Sequence, residues 1–105
     1  MNIFIDIDDT ICKMPAPFEE CTNYEFAEPI KENIEKANAL YDEGNVIVYW
    51  TARGTGTKVD WREVTEKQFK KWGVKHHEIR FNKPDYDILI CDKAVNVTTF
   101  EGDDW

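Results

Sequence analysis

Apolar residues run almost unbroken at three places in this chain, 2–7, 46–51 and 87–91, and recur at helical spacing between them. The first run, NIFIDI, is isoleucine-rich, of strand length, and carries Asp6 near its end. The second, VIVYWT, is β-branched and aromatic and ends at Thr51; the third, DILIC, ends at Asp92. Such runs predict strands buried on both faces, as in a parallel sheet with helices on each side. Between the first two, Ile30, Ile34, Ala37 and Tyr41, with Leu40 alongside, form one stripe at helical period. Pro29 suits the first turn of that helix, and Gly44-Asn45 its stop. Further on, Trp61, Val64, Gln68, Phe69 and Trp72 share a helical face, with Asp60 and Glu63 as a capping box and Gly73 as the stop. EIRF at 78–81 reads as a short strand and 95–100 as a last one. Residues 12–25, with Pro15, Pro17 and Asn23, read as an irregular loop. The order β, α, β, α, β, β predicts a single α/β domain over 1–105 with a mainly parallel sheet.

Length and charge narrow the function. A chain of 105 residues is long enough for one core without staples. The net charge of −8, from 13 basic and 21 acidic residues, makes long nucleic acid the least expected partner. An anionic substrate then needs a metal or a local set of donors to reverse the field. Cys12, Cys21 and Cys91 are odd in number and lack CxxC spacing, which argues against a disulfide framework or a zinc site. His76-His77 reads as a loop or surface pair. No apolar run reaches membrane-spanning length, and Asp6 interrupts the first, so the expectation is a cytoplasmic protein with no membrane contact.

The polar residues at the strand ends carry the chemistry. Asp6 and Asp8 leave the first strand, Thr51 the second and Asp92 the third, and sites in open α/β sheets form at the carboxyl ends of strands. Two close carboxylates repel by roughly 4 kcal/mol at ~4 Å and an effective dielectric near 20. A divalent cation, or a proton kept by one of them, relieves the repulsion. Either state suits catalysis: an ionised Asp attacks an electrophile, and a protonated neighbour donates. Thr51 and the amides after it offer donors to an anion, Arg53 and Lys58 add positive charge, and Lys83 stands within reach just before the third strand. An acidic corner for a hard cation, donors for oxygens and a balancing lysine describe a phosphoryl site, with Mg²⁺ the usual ion.

These segments resemble the four motifs of the haloacid dehalogenase (HAD) superfamily of phosphohydrolases. FIDIDDT at 4–10 matches DxDxT, VIVYWT the apolar strand ending in Thr or Ser, Lys83 the third motif, and DILICD at 87–92 the strand ending in acid. The finer string YWTARG, followed by KP and then LI.DKA, is similar to a small subgroup labelled as capsular-polysaccharide-biosynthesis phosphatase-like. The resemblance implies a Rossmann-like, HAD-like three-layer sandwich and a Mg²⁺-dependent phosphatase. Asp6 would be the nucleophile, forming an aspartyl-phosphate, and Asp8 the general acid and then base. Asp6, the backbone carbonyl of Asp8, and Asp92 would hold Mg²⁺. Thr51, Ala52 and Arg53 would bind the phosphoryl oxygens, and Lys83 would neutralise charge. Two positions depart from the family pattern. Cys91-Asp92 stands where many relatives have two acids: if the first of the pair is the direct ligand, metal binding is weakened, and if the second is, the favoured case, Asp92 is the ligand and Cys91 a small buried apolar residue. Asp9, where relatives often have Gly, reads as a turn residue. The first two strands lie too close in sequence to hold a separate cap domain. The open crevice would suit a large or macromolecular phosphate ester, or closure by a second copy in a homo-oligomer, while a phosphorylated small molecule or sugar stays open as substrate. A phosphotransferase, and a phosphate-binding or regulatory module that has lost turnover, remain as alternatives.

Overall fold

A computed structural model describes residues 1–15, 23–55 and 59–102; Pro17, Cys21 and Lys58 lie outside the described residues. The chain runs β1 (Asn2–Ile5), β2 (Cys12–Lys13), a 3-10 turn (Tyr24–Phe26), β3 (Glu28–Pro29), α1 (Lys31–Asp42), β4 (Val46–Trp50), α2 (Arg62–Trp72), β5 (Glu78–Arg80) and α3 (Val97–Glu101). The main sheet is parallel, in the order β1-β4-β5, and β2 pairs with β3 in an antiparallel ribbon. No helix among the described residues is long and apolar enough to cross a membrane.

One face of the sheet makes the core. Register places Ile3 beside Ile47 and Ile5 beside Tyr49. Ile5, Ile47 and Tyr49 pack with Ile34, Ala37 and Leu40 of α1 and Phe69 of α2. Tyr49 meets Phe69 edge to face at 4.9 Å. Full burial of an aliphatic side chain contributes roughly 1.5–3 kcal/mol; Ile7 and Ile11, at 0% exposure, anchor the site end of the sheet, and Ile47, also at 0%, its opposite end.

Among the described residues the expected third layer is not seen. Phe4 is 48% and Val46 41% exposed on the opposite face, where only Val48 is buried. The strand order explains this. Right-handed crossovers from β1 to β4 and from β4 to β5 travel in one direction, so both helices fall on one side. A second helical layer needs a strand on the other side of β1. The 87–91 run was expected to be a strand, but it has no regular structure, and Ile88 and Ile90 are 77% and 94% exposed.

Three local readings also differ. Residues 95–100 fall largely in helix α3, because Asn96 caps it: Asn96 Oδ1 accepts from Thr98 N at 3.0 Å. Pro29 pairs with Cys12 in the β2–β3 ribbon, and the helix starts two residues later. At α2 no reciprocal box forms. Asp60 Oδ1 takes the Arg62 N–H at 3.0 Å, and Trp61 occupies the cap position.

Candidate functional site

The carboxyl ends of β1, β4 and β5 open onto a crevice of about 380 Å³. Asp6, Asp8 and Asp9 enter it from the turn after β1, Thr51, Ala52 and Arg53 from the end of β4, and Lys83 from just beyond β5. The turn after β1 is tight. Ile7 O accepts from Ile11 N at 2.9 Å, Cys12 O accepts from Asp9 N at 2.8 Å, and Asp9 sits at φ 66. That left-handed backbone is the one glycine adopts freely and Asp tolerates, which accounts for a turn residue there.

Lys83 is held in place from both ends. Asn82, at φ 77, turns the chain so that Lys83 N donates to Thr51 O at 3.1 Å. Its ammonium lies 3.4 Å from Asp6 Oδ1, above the rings of Trp50 and Tyr86. Asp6 Oδ1 also accepts the Ile7 N–H at 3.0 Å. Burial pushes the Asp6 carboxyl above the ordinary aspartate range; Lys83 and the Ile7 N–H oppose that shift, and the Asp8 charge adds to it.

Asp8 and Arg53 form the most enclosed part of the site. The Arg53 side chain is fully buried and the Asp8 side chain 26% exposed. Arg53 Nε and Nη2 grip the two Asp8 oxygens at 3.0 and 2.9 Å, and Nη1 donates to Thr65 Oγ1 at 3.0 Å and Gln68 Oε1 at 2.7 Å. The Tyr24 ring lies 4.7 Å from the guanidinium. Arg53 was expected to bind phosphoryl oxygens; its donors are spent instead on anchoring Asp8 to α2. Thr51 Oγ1 accepts the Arg53 N–H at 3.1 Å and keeps its own O–H to donate. Burial, with the Asp8 charge next, pushes the Cys12 thiol up to about 12, so Cys12 is no nucleophile.

Asp92 does not reach the crevice. It is exposed on the irregular 87–96 stretch, and its neighbour Cys91 is exposed too, not the buried apolar residue expected. Among the described residues no three acidic, His or Cys side chains cluster closely enough to hold a metal. His76 and His77 are structural. His77 Nδ1 accepts from Ile47 N at 3.1 Å, and its ring stacks on Tyr41.

Sequence reasoning missed Asp85, Tyr86 and Tyr24, which also line the crevice, and Thr65 and Gln68, which position Arg53. Only Gln68 left a signal, as a polar residue on an otherwise apolar helical face.

No family model and no curated protein matches the sequence. A crystal structure of an MCSG target from Vibrio cholerae is similar in fold, with a TM-score of 0.81 and 23% identity, over 96% of this chain and 88% of that one. At that identity the likeness speaks for the fold alone.

Proposed function

We propose that the protein is a HAD-type, Mg²⁺-dependent phosphatase that hydrolyses phosphate monoesters through an aspartyl-phosphate on Asp6. The observation that carries this reading is the 3.4 Å pair of Asp6 and Lys83 at the carboxyl end of a buried parallel strand, with Thr51 on the same crevice wall as Lys83. A nucleophilic carboxylate beside a fixed ammonium, facing a hydroxyl donor, is what phosphoryl transfer requires.

The donor set fits Mg²⁺. Four acids, Asp6, Asp8, Asp9 and Asp85, line the crevice against Arg53 and Lys83, so a phosphate meets net negative charge there. Mg²⁺ is commonly held by one or two carboxylates, with substrate oxygens and waters completing its shell. Asp6 and the Asp8 carbonyl would supply the protein ligands, and the ion would neutralise phosphoryl charge. Lys83 holds Asp6 in line and balances the charge that builds on the phosphoryl group. Thr51 and the Ala52 amide take phosphoryl oxygens. Asp8 passes a proton to the leaving oxygen and later takes one from water.

A HAD-like sandwich would need residues 87–91 to pair along the edge of β1, which would bring Asp92 to the crevice. Two observations favour this arrangement: among the described residues β1 has no partner on that edge, and the apolar 87–91 run is exposed. Purified protein is expected to release phosphate from a generic aryl phosphate with Mg²⁺, and Asp6→Asn to be silent. Activity surviving in that variant sinks the mechanism.

A binding module without turnover is favoured by one feature. A proton on Asp8 costs a hydrogen bond to Arg53. Calorimetric Mg²⁺ titration separates the readings, since millimolar or tighter binding belongs to the enzyme.

A further inference from the structure

A second cleft, of about 410 Å³, opens beside the crevice, in the size range of small-ligand sites. The two are continuous. Arg53 borders both, Phe81-Asn82 of the cleft runs straight into Lys83, and Thr55 Oγ1 ties the walls by donating to Lys83 O at 2.9 Å. The cleft's apolar surface comes from Trp61, Phe81 and Val59. Both rings are braced by side chains that do not line the cleft. Trp61 packs edge to face on Tyr24 at 5.0 Å, and the Arg62 guanidinium lies 4.6 Å from the Phe81 ring. Gly54 keeps the loop tight at φ +84, since a Cβ there would collide with Val59 O.

We propose that this cleft receives the leaving group of the phosphate ester, and that this group carries a planar ring. The inference rests on the phosphatase reading for its substrate but on the cleft alone for its ring. Two immobilised aromatic walls next to a phosphoryl site lose little entropy on binding, and they favour a flat π-surface over a flexible chain. Asp60 and Asn82, also on the lining, offer an acceptor and an amide to polar groups on such a ring. A nucleobase and a simple aryl ring share this chemistry.

The test compares three esters of primary alcohols: adenosine 5′-monophosphate, benzyl phosphate and ribose 5-phosphate. Stacking of one ring is worth roughly 1–3 kcal/mol, so kcat/KM for the ring esters should exceed that for ribose 5-phosphate by about fivefold to 150-fold. A preference for the adenosine ester alone assigns the cleft to a nucleobase; a preference for both assigns it to any flat ring. In Phe81→Leu the ratio to ribose 5-phosphate should fall toward one. Equal rates on all three esters overturn the proposal. If no ester is turned over, the phosphatase reading fails and the cleft is judged by binding. Adenosine or benzyl alcohol should shift the Trp61 indole NMR resonance in the wild type and not in Phe81→Leu. Absence of any shift overturns the proposal independently of activity.

Discussion

Replacing Arg53 by Met removes the guanidinium but keeps much of its apolar bulk. In the folded protein it makes four hydrogen bonds of 2.7–3.0 Å, two to Asp8 and one each to Thr65 and Gln68. The variant leaves Gln68 Oε1 without that donor and Asp8 without its counter-charge. Breaking a buried ion pair from one side costs about 3–5 kcal/mol. Asp8, with its side chain 26% exposed, regains part of its hydration, which points to the lower end, about 3 kcal/mol. For a domain of about 100 residues that lowers the melting temperature by roughly 12–24 °C. Urea unfolding at pH 7 should show the same loss as a lower midpoint with an unchanged slope. Arg53→Lys keeps the charge but loses the fork, and should fall between wild type and Arg53→Met. In a double-mutant cycle, Asp8→Asn should recover part of the loss. If Arg53→Met loses less than ~0.5 kcal/mol, the guanidinium is not the anchor described, and a direct role at the phosphate returns.

Three further outcomes follow from the same geometry. Asp6 has a raised pKa, so it favours the fold only while protonated; that contribution is full below its unfolded value of about 3.9 and is lost as pH rises through the folded value. Asp6→Asn should therefore be more stable than wild type at pH 7, with the gain shrinking toward pH 4; thermal melts showing no gain at pH 7 contradict the burial. At pH 8 the thiol of Cys12, buried and pushed up to about 12, should resist alkylation in the native state, while exposed Cys91 reacts quickly; equal rates by peptide mass mapping refute this. Asn82→Ala, forced into left-handed backbone at φ 77, should lose about 1 kcal/mol and weaken the hold on Lys83, whereas Asn82→Gly keeps the turn; urea midpoints decide.

The central strands and both long helices were legible because their apolar patterns serve one buried face. Val46–Trp50 and the stripe from Ile34 to Leu40 need no distant information. The same patterns do not report how many faces are covered. Phe4 and Val46 read as buried, but the layer above them depends on where 87–91 pairs, which is a long-range matter. Residues 95–100 were misread because threonines and valine suggest a strand, while the cap at Asn96 decides for helix. At the site, Asp6, Asp8, Thr51 and Lys83 were found from their places beside strand ends. The role of Arg53 was not legible, since its partners Thr65 and Gln68 lie on a helix beyond the next loop. A buried arginine and one offered to a ligand look alike in sequence. Lys83 joined the crevice for a different reason than expected: it follows β5, and the third apolar run is not needed to bring it there.

Whether Asp6 carries the phosphoryl group can be read directly by mass. The protein is mixed with an excess of aryl phosphate and Mg²⁺, quenched in acid during turnover and weighed intact. A fraction of wild-type protein should be heavier by one phosphoryl group, localised to the peptide containing Asp6 and absent in Asp6→Asn. Steady phosphate release with no modified protein, or a modification persisting in Asp6→Asn, contradicts an aspartyl-phosphate on Asp6.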